Sequence, residues 1–215
     1  MLFRSVVRAV PLNVTDASSI QKAFQQMVVQ FGGIDVLVNN AGISISKTLL
    51  EHTESDWDQL YAILAKGQFL VTQQAVALFR QQGMGGDIVN IVSKNALAAG
   101  PNNTAYGSAK AAQLQLSILL AAELGPDHIR VNVINPDAVI ADSNIWAGGW
   151  AEGRAKAYGI TVEELPAYYA RRTLLNEIIY PEDIAKACFV LVSGALSKST
   201  GNMRSEEHTS ELQSH

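Results

Sequence analysis

Residues 87–110 read DIVNIVSKNALAAGPNNTAYGSAK. Asp87 to Ser93 (DIVNIVS) is a short run of branched apolar residues, the pattern of a strand buried on both faces. Small and polar residues follow it. From Thr104 an Ala- and Leu-rich helix runs to Leu124, where Gly125-Pro126 stops it. A buried strand feeding a long helix is half of a β-α-β unit, and this decides the fold class.

The pattern repeats outward. Ile129 to Ile134 completes the unit as a strand ended by Asn135-Pro136. Upstream, the apolar run Ile34 to Val38 ends at Asn39-Asn40-Ala41-Gly42, and a long helix spans about Ser55 to Gln82, entered after Thr53 and ended by Gly83. Ile20, Ala23, Phe24, Met27, Val28 and Phe31 recur at helical spacing between a cap at Thr15 or Asp16 and Gly32-Gly33. Val6 to Leu12 reads as a first strand, and Pro181 opens a last helix to about Ser193. Strands alternating with helices imply an α/β, Rossmann-like doubly wound parallel sheet.

In such sheets ligands bind outside the carboxyl ends of the strands. Residues 138–180 leave from one of these ends in a segment longer than an ordinary connection. It carries Trp146, Trp150, Tyr158, Tyr168, Tyr169 and Tyr180. A substrate lid is expected there, with aromatic packing or a subunit interface as the alternative.

Composition narrows the function. The chain has 215 residues, 48% hydrophobic and 17% charged, with a net charge of -4. Globular proteins average about 25% charged residues, so a large core is expected and disorder is not. An acidic balance offers nothing to nucleic-acid phosphates, and the longest unbroken apolar stretches fall short of the ~18 residues of a membrane span. One cysteine, Cys188, cannot form an internal disulfide, which fits a reducing cytoplasm. His52 and His128 lack metal-ligand company and read as surface residues, so no metal is expected. Arg171-Arg172 reads as a solvated helix end.

The chemistry-bearing residues lie in the stretch quoted first. Ser93 ends a strand, and Tyr106 and Lys110 stand one helical turn apart on one face. A phenol of pKa near 10 is a poor base at neutral pH, but an ammonium within ~4–6 Å favours its ionised form. The phenol can then exchange a proton with a reacting hydroxyl while a hydride moves. Tyr-x-x-x-Lys alone is common, and its weight comes from Ser93 and the Asn-Asn-Ala-Gly turn in this order.

Taken together, NNAG (39–42), Ser93, YGSAK (106–110) and Asn135-Pro136 resemble the short-chain dehydrogenase/reductase family across residues 6–203. The resemblance implies a catalytic Ser93, Tyr106 and Lys110, with Tyr106 and Lys110 also touching the nicotinamide ribose. It implies that Asn13 and Val14 lie by the adenine, Asn40, Ala41 and Gly42 by the adenine ribose, and Pro136 and Val139 by the carboxamide. The cofactor is then NAD, with NADP left open, and the substrate a small molecule. The family order 3-2-1-4-5-6-7 implies that strands 3 to 6 are present and that the glycine-rich pyrophosphate loop is not. On that reading Val6 to Leu12 either slides beside Ile34 to Val38 or is poorly held, and the fragment is inactive and prone to aggregate.

Three departures from the family pattern stand out. Leu64 occupies the place of its catalytic asparagine, Asp137 follows Pro136 where glycine is usual, and Lys94-Asn95 follow Ser93. LAKGQF, SKNAL, AGPNN, NPDAV and the IWAGGW to RRTLL segment are similar to one branch of the family, the dehydrogenase half of bifunctional rhamnulose-1-phosphate aldolase/alcohol dehydrogenases. That branch implies lactaldehyde as substrate, fusion to an aldolase domain, and a homo-oligomeric parent. Lys94 or Asn95 is then expected to take over work that Leu64 cannot do, with solvated loop residues as the alternative.

The two ends read differently. Residues 204–215 are a polar string whose codons fit a short-read sequencing adapter, and residues 1–5 (MLFRS) fit its reverse complement. Both are expected to be artefacts flanking residues 6–203.

Overall fold

The computed structural model describes residues 7–139 and 149–204. Strands β1 (Val36–Asn39), β2 (Gly86–Ile91), β3 (Ile129–Ile134) and β4 (Met203–Arg204) form one parallel sheet in the order β1-β2-β3-β4. Asn39 lies beside Asn90, and Ile91 beside Ile134. The strands therefore finish along one edge, from which Asn40 to Gly42, Ser93 and Pro136 emerge together. Ile88, Val89, Val131 and Val133 are buried in the two central strands, the burden that branched apolar runs carry in a covered parallel sheet.

Local chemistry sets the helix ends. In α1 (Ala17–Phe31) the Asp16 carboxylate accepts from the Ser18 N–H, and Gly32 terminates the helix at φ 84°. A capping box between Thr53 and Asp56 opens α2 (Glu54–Tyr61). The long helix expected over 55–82 is continuous, but a π turn at Ala62–Lys66 widens it before α3 (Gly67–Gln82). Then come α4 (Thr104–Leu124), α5 (Trp150–Tyr158), α6 (Leu165–Arg172) and α7 (Pro181–Val192).

The main core joins Ile20 and Phe24 of α1, Val71, Ala75 and Phe79 of α3, Ile88 and Val131 of the sheet, and Leu124 of α4. Full burial of a side chain such as Phe79 contributes roughly 1.5–3 kcal/mol. A second cluster seats Leu60 and Leu64 against Ala105, Tyr106 and Ala109, so the widened helix helps to place Tyr106. By length and composition Glu54–Gln82 would suit a membrane span. The two clusters account for its buried apolar face.

Several expectations need correction. Residues 7–12 form no strand and do not pair with β1, and Val7 is exposed. Strand formation needs a partner across the sheet, and propensity alone does not supply one. At the other end, Arg204, placed outside the enzyme by its codons, pairs with Ile134 in β4. Backbone pairing is indifferent to the side chain. The strands present are thus the expected last three and a short fourth beyond them. Among the described residues of 138–180 lie two short helices, α5 and α6, where the sequence shows no clear period. His52 is buried, with a side chain 7% exposed and Nδ1 4.0 Å from Asp56. Trp146 and most of the adapter-like ends fall outside the described residues.

Candidate active site

Ser93 follows β2 and begins a short 3-10 turn, Lys94–Ala96, its Oγ accepting from the Asn95 N–H at 3.2 Å. Tyr106 and Lys110 project from the first turns of α4 and are 9% and 5% exposed. The Lys110 Nζ donates to the Ile91 carbonyl at 3.2 Å and lies 5.8 Å from the centre of the Tyr106 ring. A strand end and a helix face thus bring the three residues together, as their order in the sequence implies.

Burial dominates the electrostatics. It pushes the Tyr106 phenol above its ordinary range, while the Ser93 hydroxyl and the Arg154 guanidinium pull it down. It also pushes the Lys110 ammonium down to about 7. This differs from the sequence expectation, in which the Lys110 ammonium lowers the phenol. The low-dielectric setting that would strengthen that attraction also weakens the proton Lys110 needs to exert it.

On the cofactor side the residues divide. Gly42 sits beside Lys110: a Cβ there would lie 3.2 Å from Leu64 Cδ2 and 4.0 Å from Lys110 Nζ. Asn40 and Ala41 lie exposed next to it at the end of β1. Asn13 turns inward on its own loop, its Oδ1 accepting from the Thr15 N–H and Oγ1 at 3.0 and 2.8 Å. Val14 packs over Gly67, leaving room for no side chain there. Neither joins the group around Tyr106. The Pro136 carbonyl accepts from the Lys94 N–H at 3.0 Å, and Val139 bridges to Ile179.

The odd residues of the sequence meet in space. Lys94 Nζ and Asp137 Oδ2 are 2.7 Å apart, with side chains 4% and 6% exposed. Arg172 Nη2 reaches the same oxygen at 3.9 Å. Arg172 also lies over the rings of Tyr168 and Tyr169, so it is no solvated helix end. Lys94 is accordingly engaged as a strut between the loops after β2 and β3. Asn95 contributes its backbone, whose carbonyl would stand 3.2 Å from a Cβ on Gly107.

Sequence reasoning passed over Arg154. This α5 residue is 3% exposed and donates to the Pro101 carbonyl at 3.0 Å and to Asn103 Oδ1 at 2.8 Å. Trp150 of the same helix donates to Ser44 Oγ at 3.1 Å. Around them Ala151, Ala155, Leu165 and Tyr169 form a small core with Tyr158 and Tyr168. An arginine in a short helix without period carries no sequence signal of burial.

The comparisons with known proteins agree with this fold. A family described as enoyl-(acyl carrier protein) reductase matches residues 3–204. An uncharacterized oxidoreductase, YuxG of Bacillus subtilis, is 42% identical over 195 residues, covering 91% of this chain and 28% of that protein. A D-threitol dehydrogenase of Mycolicibacterium smegmatis is 32% identical over 200 residues, covering 92% and 71%. Among solved structures, sorbitol-6-phosphate 2-dehydrogenase SrlD of Erwinia amylovora shares the fold at TM-score 0.83 and 24% identity, over 90% of this chain and 75% of that one. ElxO, solved with NADP bound, matches at TM-score 0.77 and 25% identity, over 90% and 74%. The chain belongs to the short-chain dehydrogenase/reductase family.

Proposed function

We propose that the chain forms the catalytic face of an NAD(P)-dependent oxidoreductase acting on a small hydroxy-aldehyde or alcohol, with lactaldehyde as its substrate. The observation that carries the reading is the meeting of Ser93, Tyr106 and Lys110 at the carboxyl ends of β2 and the start of α4. Tyr106 exchanges the proton of the reacting hydroxyl, and Ser93 holds that oxygen by a hydrogen bond. Lys110 holds the nicotinamide ribose. A bound nicotinamide supplies the hydride acceptor or donor.

The residues fit such a group. The bare backbone at Gly42 beside Lys110 leaves a cradle that a Cβ would begin to fill. Asn40, Ala41 and Pro136 border it, and Asn13, Val14 and Val139 complete the proposed cofactor side from further away. The segment 138–180 serves as the substrate lid. Fusion to an aldolase domain, a homo-oligomeric whole and a cytoplasmic location belong to the same proposal. Support for a larger whole is the 28% of YuxG that the chain spans.

A second reading, a short-chain dehydrogenase for polyols or diols, is favoured by the 32% identity to D-threitol dehydrogenase. A third is a polypeptide that does not turn over as it stands. The test is nicotinamide absorbance with lactaldehyde, threitol and 2,3-butanediol. It is run on the chain alone and on a chimera flanked by the remaining residues of YuxG. A preference of about tenfold or more in kcat/KM for lactaldehyde, ~1.4 kcal/mol, supports the first reading. Preference for a polyol replaces it with the second. Turnover by the chimera alone supports inactivity of the chain as it stands, and turnover by neither overturns hydride transfer.

A further inference from the structure

Arg154 combines three properties that a solvated surface cation does not have. It is 3% exposed, its Nε is buried without a hydrogen-bond partner, and its two other contacts are both neutral acceptors, Pro101 O and Asn103 Oδ1. Among the described residues it has no carboxylate partner. The guanidinium stacks 5.4 Å from the Trp150 ring centre, which stabilises a cation without neutralising it. A buried, unneutralised charge costs several kcal/mol unless something compensates it. Arginine cannot shed its proton to escape that cost.

The place of this charge gives it a use. Asn103 is the residue before α4, and its side chain makes no cap to the helix because its Oδ1 is taken by Arg154. Its backbone carbonyl instead accepts from the Gly107 N–H at 2.7 Å, directly after Tyr106. The Ser93 hydroxyl after β2 and the Arg154 guanidinium of α5, held by Asn103 three residues before Tyr106, both draw the phenol down, and Lys110 of α4 lies 5.8 Å from its ring centre. Leu60 and Leu64, packed against Tyr106 from the long helix, bring no polar group. Of the two cations, Lys110 can become neutral near physiological pH and Arg154 cannot.

We propose that Arg154 is a positioning residue for Tyr106: it clamps the turn that starts the catalytic helix to the lid and supplies a permanent positive charge whose counter-ion is the phenolate formed during proton transfer. The proposal rests on Tyr106 being the general acid/base. It extends that reading to a residue outside the family's catalytic group. It also makes docking of the lid helix a condition for Tyr106 to ionise.

The test reads Tyr106 directly and needs no turnover. In protein labelled with 13C at tyrosine Cζ, the Tyr106 signal is assigned by its loss in Tyr106→Phe and followed against pH. Circular dichroism confirms the fold at each point. In Arg154→Gln the proton affinity of Tyr106 is expected to rise about tenfold or more, one pH unit in midpoint. In Arg154→Lys, which keeps the charge, it is expected to stay within about threefold of the parent. A folded Arg154→Gln with an unchanged midpoint overturns the proposal, as does Arg154→Lys shifting as far as Arg154→Gln. Should Arg154→Gln not fold, Asn103→Ala loosens the clamp while leaving the charge in the molecule. It must move the midpoint upward by about threefold, and no movement overturns the proposal. If Tyr106→Phe leaves turnover intact while Arg154→Gln shifts the midpoint, the general acid/base reading fails and the charge relationship survives.

Discussion

The ammonium of Lys94 and the carboxylate of Asp137 meet at 2.7 Å with both side chains buried, joining the loop after Ser93 to the loop after Pro136. These residues belong to two of the three departures of the chain from its family's pattern. Their pairing explains why they depart together: each places opposite charge against the other in a buried setting.

Removing one partner should therefore cost far more than removing both. Asp137→Asn is expected to destabilise the chain by roughly 3–5 kcal/mol, the usual cost of uncompensating a buried ion. Lys94→Met should cost less, because Arg172 at 3.9 Å remains to neutralise Asp137. The double substitution Lys94→Met, Asp137→Asn is expected to be milder than Asp137→Asn. Urea unfolding of the three variants in a double-mutant cycle measures the coupling. Additive losses would show that the pair contributes nothing as a pair.

Lys110 should give stability a rising dependence on pH. Its proton is held weakly in the folded chain, down to about 7 from an ordinary 10.5. Between those values the unfolded state binds more protons than the folded one, so stability increases with pH, at up to about 1.4 kcal/mol per unit. Below about pH 7 the slope from this group vanishes, because both states are protonated. The difference in urea midpoint between pH 7 and pH 9 should shrink in Lys110→Met. An equal slope in parent and variant would remove Lys110 as its source.

Leu64 offers a test of whether the family's asparagine could simply be restored. The side chain is fully buried with Leu60, Ala105, Tyr106 and Ala109. Leu64→Asn exchanges apolar contacts for an amide with no evident partner, at roughly 2–5 kcal/mol. Thermal unfolding should show the loss, and nicotinamide-coupled turnover of the chimera should not rise. A faster enzyme of undiminished stability would mean that the surrounding residues still accommodate the polar relay.

Tyr106→Phe separates chemistry from packing. The ring stays in its apolar cluster, so the unfolding midpoint should move by less than about 1 kcal/mol. Turnover of the chimera should fall on the order of 10² to 10⁴ if the phenol is the general acid/base. Retention of more than a tenth of the rate would assign the proton transfer elsewhere.

Helix and strand placement was legible wherever a local period or a stop signal exists. Gly32 and Gly83 end helices where they stand in the sequence, and Thr53 caps the helix that its place in the sequence opens. Ser93, Tyr106 and Lys110 were legible because their chemistry is tied to a strand end and one helical turn. Residues 7–12 misled because β propensity says nothing about whether a neighbouring strand is there to pair. The Lys94–Asp137 contact links positions far apart in sequence, and Arg154 is recognisable only once α5 is seen lying against Asn103. Charges read as solvated in a sequence are those whose burial depends on tertiary contacts.

The π turn at Ala62–Lys66 makes the long helix sensitive to counting rather than to spelling. One residue more than an ordinary turn allows lets Leu60, Leu64 and Gln68 share a face at intervals of four. Gln68 thereby reaches the Gln113 carbonyl and Ser117 Oγ, while Gln113 Nε2 donates back to its Oε1. Deleting one residue between 62 and 66 would let the widened turn close to about 3.6 residues per turn with the face from Gly67 onward kept, whereas a deletion in the regular turns on either side would swing everything beyond it by ~100° about the axis. No substitution can undo such a phase error. The segment between Thr53 and Gly83 is thus constrained in length more tightly than in alphabet, and single-residue deletions scanned along it should be tolerated better inside the π turn than in the regular turns on either side of it.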